Sequence, residues 1–204
     1  MIERNTQISF ERACEVGCGA GEILHQLSSN YFPNVKFVGF DVSPDVAPFW
    51  NERRSDRLEY RQADFTVTED YFDLALYVDV VEHIENSDDF LRKVVDKSTY
   101  KIFCFPLELF VFKVLFKNAL LASRRDFGHL HFYNEELCLQ QLKDAGYEIL
   151  DVMFAGSSID LASVSQSISA ISKLVRIPRI ILSWISVRWT ARILGGYSLI
   201  VLAK

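Results

Sequence analysis

Three of the four histidines stand where residue type and spacing allow proton or ligand chemistry. The run Asp79-Val80-Val81-Glu82-His83 closes an apolar stretch, Phe72 to Val78. Its near-continuous hydrophobic character fits a strand at the centre of a sheet. A carboxylate at the end of such a strand lies on the carboxyl edge, where open α/β sheets hold their ligands. His83 can take a proton from a hydroxyl, because an imidazole titrates at roughly pH 6.5. It can equally bond nearby backbone and hold the turn. His129 and His131 flank one residue, so in extended chain both project to the same side. They can receive an acceptor, pack with Phe127, Phe132 and Tyr133, or join Glu82 and His83 around a divalent cation. That spacing is not diagnostic of a metal, and none is expected.

The element that must position a ligand beside these groups is the stretch R-A-C-E-V-G-C-G-A-G, Arg12 to Gly21. Ala13 to Val16 reads as a buried strand, followed by Gly17, Gly19 and Gly21, then by a helix with Ile23, Leu24 and Leu27 facing inward. Glycines let backbone approach a ligand closely, and the helix N-terminus presents free N–H groups. A second apolar run, Val35 to Phe40, ends in Asp41. A carboxylate about 20 positions beyond a glycine turn is where nucleotide-binding α/β folds hold ribose hydroxyls. The dinucleotide fingerprint would place a small third residue where Glu22 stands, which argues against a nicotinamide-dependent reductase.

With these motifs in order, the chain resembles the class I S-adenosylmethionine-dependent methyltransferases, in particular the broad small-molecule branch with E-H-I after strand four. The resemblance runs from about residue 12 to 155. It rests on E-V-G-C-G-A-G, on Asp41, on R-Q-A-D-F (Arg61 to Phe65), and on Y-F-D-L-A-L-Y-V-D-V-V-E-H-I. It implies S-adenosylmethionine as cofactor and a Rossmann-like, doubly wound α/β sheet of seven strands. That sheet is mostly parallel with an antiparallel last strand, in the order 3-2-1-4-5-7-6. Glu15, Gly17, Gly19 and Gly21 would then shape the methionine and ribose pocket. Asp41, with Val42 beside it, would take the ribose hydroxyls, Asp64 the adenine amine, and Phe65 would pack near the base. Asp79 would neighbour the methionine amine and the transferred methyl. His83, Asp79, His129 and His131 are the catalytic candidates. Some RNA 2′-O-methylating relatives hold a metal with residues like Glu82, His83 and the later histidines.

Composition bounds the rest. At 204 residues, half of them hydrophobic, the chain fits one domain with a substantial core. The net charge of −5 is uneven: the 27 acids all precede residue 161, and six basic residues and no acid follow it. Either this basic end packs on the acidic body, or it meets an anionic substrate or a membrane surface. The acidic body disfavours nucleic acid. Four scattered cysteines suggest a reducing cytoplasm rather than disulfides or zinc. No long apolar leader opens the chain, and no window is apolar enough to span a bilayer.

Helical and strand patterns alternate throughout, as one domain with a cofactor half (12–105), an insertion or lid (106–133) and a substrate-side half (134–204). Leu107 to Ala122 reads as one helix of about 24 Å over the mouth of the site, at 1.5 Å per residue. Ser87 is expected to cap a helix and Asn134 another, which stops at Gly146. Two C-terminal helical stretches divide at Pro178, placed in the first turn of the second, with Ile168, Ile171, Leu174 and Val175 on one apolar face. Only about a dozen residues precede strand one, so the insertion and C-terminal helices are expected to cover the site. A short lid leaves room for a glycan or lipid-linked sugar, or marks an inactive cofactor-binding partner subunit. The expected acceptor is an oxygen of a small molecule or saccharide.

Overall fold

The computed structural model describes residues 1–116, 118–156 and 170–204, with side chains from 177 onward in the last segment. Its centre is a seven-stranded sheet in the order β3-β2-β1-β4-β5-β7-β6. The strands are β1 (Arg12–Val16), β2 (Lys36–Asp41), β3 (Leu58–Gln62), β4 (Phe72–Val78), β5 (Ser98–Pro106), β6 (Ile149–Gly156) and β7 (Tyr197–Ala203). The first five pair in parallel, and β7 enters antiparallel between β5 and β6. The expected sheet is therefore the observed one.

The sheet is buried on both faces, which explains why β4 lacks the alternation of a half-exposed strand. One face gathers Val16, Phe40, Phe72, Tyr77, Phe103 and Phe105; the other gathers Ala13, Phe37, Leu58, Leu74, Leu76 and Leu202. Rings on the first face interlock: Tyr77 and Phe103 stack with centroids 4.8 Å apart, and Phe40 meets Phe65 at 5.1 Å.

The helices are α1 (Glu22–Gln26), α2 (Ser87–Val94), α3 (Val111–Leu115), α4 (Ala119–Phe127), α5 (Glu135–Asp144), α6 (Ala170–Ile185) and α7 (Val187–Leu194). Several expectations need correction here. Ile23 is 40% exposed, whereas Leu24 and Ser28 are buried. Neighbouring positions lie about 100° apart on a helix, so one four-residue row takes the inward face. The cap of α2 is Asn86, whose side chain accepts from the Asp89 N–H, one place before Ser87. The stretch after Pro44 forms a 3-10 helix, Pro44–Trp50, capped by Ser43.

Leu107 to Ala122 is not one helix. Asn118 adopts φ 68°, the left-handed region that asparagine tolerates, and the chain breaks there between α3 and α4. Pro178 lies inside α6 rather than at a helix start. A proline removes one helical N–H, a cost that formed turns on both sides can carry. The real division is at Ser186, whose hydroxyl accepts from the Trp189 N–H and caps α7. Ile168 lies outside the described residues, as do the side chains of Ile171, Leu174 and Val175. Asn134 caps α5 and Gly146 follows it at φ 99°, both as the sequence indicates. No helix among the described residues is long and apolar enough to cross a membrane. Cys14, Cys18, Cys104 and Cys138 are all free.

Candidate active site

A cleft of about 490 Å3 opens at the carboxyl ends of β1, β2 and β4. That is the size of a site for a molecule of cofactor dimensions. Gly17, Asp41, Val42, Asp64, Phe65, Asp79 and His83 all line it. Residues spread from Gly17 to His83 thus converge because parallel strands deliver their ends to one edge of the sheet.

The glycine turn is held from both sides. Asp41 accepts from the Gly19 N–H through Oδ2 at 2.8 Å and from the Ser43 N–H through Oδ1 at 2.9 Å. Each oxygen keeps a lone pair for a ligand hydroxyl. Three residues that the sequence did not single out grip the turn's carbonyls. Trp50 Nε1–H donates to Gly19, Arg53 to Ala20 and the Tyr60 hydroxyl to Gly21, at 2.8, 2.8 and 2.7 Å. Trp50 and Tyr60 stack on one another at 5.5 Å. Their aromatic spacing reads as core in the sequence, and nothing local marks them as clamps. Glu22 stands outside this clamp, bonded to Arg53 and Gln26.

The turn needs glycine for its own packing. Gly17 sits at φ 70°, and a Cβ there would come within 2.6 Å of Val80 Cγ2. Beneath it Glu15 is buried, and its Oε2 has no partner among the described residues. Burial, with the Asp41 charge beside it, pushes the Glu15 carboxyl up to about 8, against an opposing bond from the Leu24 backbone. Asp64 accepts from the Thr66 N–H through Oδ1 at 2.8 Å, leaving Oδ2 for an amine. Phe65 is buried against Phe40 on the floor of the cleft.

At the other end stands Asp79, in the left-handed region at φ 51°. Burial raises its carboxyl, opposed by a bond from Cys104 and by His129 and His83. His83 lies on the rim, its Nδ1 directed at the Gly128 carbonyl at 3.4 Å. Burial first, and then His129, lower its pKa, so the ring is neutral near pH 7. His83 and His129 meet edge to face, 4.9 Å between ring centres.

What brings them together is a backbone clamp. The Glu82 carbonyl accepts from both the Leu130 and His131 N–H groups, at 2.8 and 3.2 Å. His131 reinforces it by donating from Nε2 to the Ile84 carbonyl at 2.9 Å, whereas His83 and His129 meet each other. Glu108, not among the sequence candidates, accepts from His129 Nδ1–H at 2.6 Å. It also bonds Lys113, and the Ser123 hydroxyl donates to it at 2.8 Å. Burial pushes the Glu108 carboxyl up, but Lys113, His129 and Ser123 outweigh it and hold it below the usual range. A signal for Glu108 was present: a lone acid in an apolar run must find partners when buried.

The comparisons agree with this geometry. A family model described as a methyltransferase domain matches residues 2–152. Among solved structures, the chain is similar to a SAM-dependent methyltransferase from Archaeoglobus fulgidus, with TM-score 0.63 and 17% identity over 100% of this chain and 90% of that one. It is similar to the magnesium protoporphyrin IX methyltransferase of Synechocystis PCC 6803 with bound S-adenosylhomocysteine (SAH), with TM-score 0.61 and 14% identity over 99% and 77%. It also resembles an N-methyltransferase of Bradyrhizobium japonicum in complex with SAH, with TM-score 0.58 and 16% identity over 98% and 85%. No curated protein matches the chain significantly. With the glycine turn, Asp41 and the cleft assembled on this sheet, the chain belongs to the S-adenosylmethionine-dependent methyltransferases.

Proposed function

We propose that this methyltransferase acts on an oxygen of a small molecule or saccharide, lipid-linked sugars included. The observation that carries this reading is the Glu108–His129 pair at 2.6 Å, set beside neutral His83 on the rim of the cleft. Methyl transfer to a hydroxyl forms one C–O bond, breaks the C–S bond and leaves one proton to place. The cofactor, when bound, supplies the methyl on a sulfonium. Glu15, the glycine turn, Asp41 and Asp64 hold and orient it, and much of the rate comes from that alignment. The His83–His129 pair is where the hydroxyl is activated. Glu108 fixes the His129 tautomer with Nε2 unprotonated, the arrangement of a carboxylate-oriented base.

A single-turnover assay with labelled cofactor and a panel of sugars, lipid-linked sugars and small alcohols tests this. Label on an ether oxygen is expected. Label on nitrogen alone would overturn the oxygen assignment, and tight SAH binding with no turnover on any acceptor would favour an inactive partner subunit.

The lipid-linked option has support of its own. Ile177, Ile181, Trp184 and Ile185 form one face of α6 and are 69, 55, 83 and 78% exposed. Such a stripe with a tryptophan, in a segment free of acids from 161 to 204, has the character of a helix lying in an anionic membrane interface. Arg188 and Arg192 are already engaged by Glu135 and Glu136 on α5. The apolar stripe, rather than those two arginines, therefore carries the contact we assign to a membrane.

A further inference from the structure

We propose that the insertion, α3 with α4, is a docking element for an anionic phospholipid bilayer, and that its seating there braces the Glu108–His129 pair for methyl transfer. The proposal rests on the oxygen-methylation reading and deepens it by adding regulation at that same pair. The α6 stripe is one membrane contact; the insertion is a second, and it reaches the catalytic rim.

The insertion is amphipathic in the wrong sense for water. It exposes Val111, Val114, Leu115, Leu121 and Phe127, each by more than half. Yet it tucks in an ion pair: the side chains of Glu108 and Lys113 are 16 and 15% exposed, and Ser123 is buried. Helical spacing explains the sorting. Val111, Val114 and Leu115 fall at i, i+3 and i+4 on one face, and Lys113, two positions from Val111 and from Leu115, lies opposite. Ser123 is likewise two positions from Leu121. A helix facing water ordinarily buries its leucines and lets a lysine ammonium reach solvent. An ion pair beneath an apolar exterior suits an apolar surrounding instead.

Charge identifies that surrounding. Residues 107–127 hold four basic groups against two acids and 161–204 hold six against none, while the rest of the chain holds 25 acids against 12 basic groups. Among the described residues, 13 of the 21 exposed large hydrophobics lie in these two stretches. Both apolar surfaces are thus net basic on an otherwise acidic chain. An anionic bilayer complements that combination, and an uncharged protein groove does not. The two stretches also meet. α3 packs against α7, which continues from the α6 stripe. Phe110, at the root of the insertion, lies so close on Gly195 that a Cβ there would come within 2.4 Å of its ring.

What links this surface to the chemistry is the way Glu108 is held. Lys113 of α3 donates to Glu108 and, at 2.7 Å, to the Ser123 hydroxyl, and Ser123 of α4 donates to Glu108 at 2.8 Å. The other carboxylate oxygen accepts from His129 Nδ1–H at 2.6 Å. Each helix of the insertion therefore supplies one donor that aims the carboxylate at His129. With five and nine residues, α3 and α4 are too short to persist on their own. A bilayer that gathers their outer side favours the arrangement in which both donors are in place.

The test uses the full chain with vesicles of phosphatidylcholine and phosphatidylglycerol in equal parts. The double substitution Leu115→Asp with Leu121→Asp, which leaves α6 intact, should weaken vesicle binding at least fivefold. SAH affinity within twofold of wild type certifies the fold of that variant. Amide hydrogen exchange in α3 and α4 should slow at least fivefold on the vesicles. With a water-soluble hydroxyl acceptor, the vesicles should raise kcat at least threefold in the wild type. The double variant should lose that gain and keep the rate measured without vesicles. Ser123→Ala should bind vesicles as the wild type does and show less than half of the gain. Vesicle binding unmoved by the double substitution, or exchange unmoved by vesicles, overturns the proposal. So does a dimer in light scattering that the double substitution breaks without any vesicle binding, which would give the surface to a second copy of the chain. A kcat that vesicles leave unchanged overturns the bracing while oxygen methylation stands. Label on nitrogen overturns oxygen methylation, and docking is then decided by binding and exchange, which need no acceptor.

Discussion

The indole N–H of Trp50 donates to the Gly19 carbonyl at 2.8 Å, so a side chain from beyond β2 fixes the middle of the glycine turn. The same indole stacks on Tyr60, whose hydroxyl holds the Gly21 carbonyl. Trp50→Phe keeps the stack and removes the bond, leaving a backbone acceptor short of a partner at about 1 to 3 kcal/mol. SAH affinity is expected to fall about three- to tenfold in calorimetry. Unchanged affinity would mean that the turn holds its shape without the indole.

Asp41 holds the turn and is the residue we propose holds the ribose as well. Asp41→Ala removes acceptors from the Gly19 and Ser43 N–H groups as well as the proposed ribose partner. S-adenosylmethionine binding should weaken at least tenfold, with a lower melting temperature even without ligand. A variant that melts lower yet binds normally would assign Asp41 to the loop alone.

Turnover should separate from cofactor binding at the far end of the cleft. Glu108→Gln leaves His129 without its carboxylate acceptor, and His83→Ala removes the rim imidazole. Each is expected to lower kcat at least tenfold while SAH affinity stays within twofold. Wild-type turnover in His83→Ala would make that ring a structural part of the turn.

Stability should fall as pH rises through the neutral range. The folded value of Glu15 is pushed from 4.5 up to about 8 by burial and by Asp41. Between those values the unfolded chain binds fewer protons than the folded one, so the stabilisation is complete below about 4.5 and lost on the way to about 8. Glu82, also pushed up to about 8 by burial, acts in the same direction. Melting of the ligand-free, metal-free protein should therefore occur several degrees lower at about pH 8.5 than at about pH 5.5. Glu15→Gln should flatten that decline, and an equally steep decline in the variant would show that Glu15 does not ionise in this range.

The exposed stripe of α6 predicts vesicle binding. The full chain should co-sediment with vesicles rich in anionic phospholipid, and the double substitution Ile181→Asp with Trp184→Asp should abolish it. A monomeric protein that stays in the supernatant at low salt would remove membrane contact from the reading.

How much of this was legible in the chain differs from one end of the cleft to the other. The cofactor half depends on local chemistry: glycines at every second position, a carboxylate closing the next strand, and apolar runs long enough for a central sheet. Those features act within a few residues of themselves, so the sheet order, and the meeting of Asp41, Asp64 and Asp79 on one cleft, could be named from motif and spacing. The break at Asn118 was less legible, since the apolar residues around it suit one helix as well as two. The clamp of Trp50, Arg53 and Tyr60, the Glu108–His129 bond and the orphaned Glu82 carboxylate were decided by tertiary structure alone. Each joins segments about twenty or more positions apart, or depends on what burial denies a side chain, and neither can be read from a residue's neighbours in sequence.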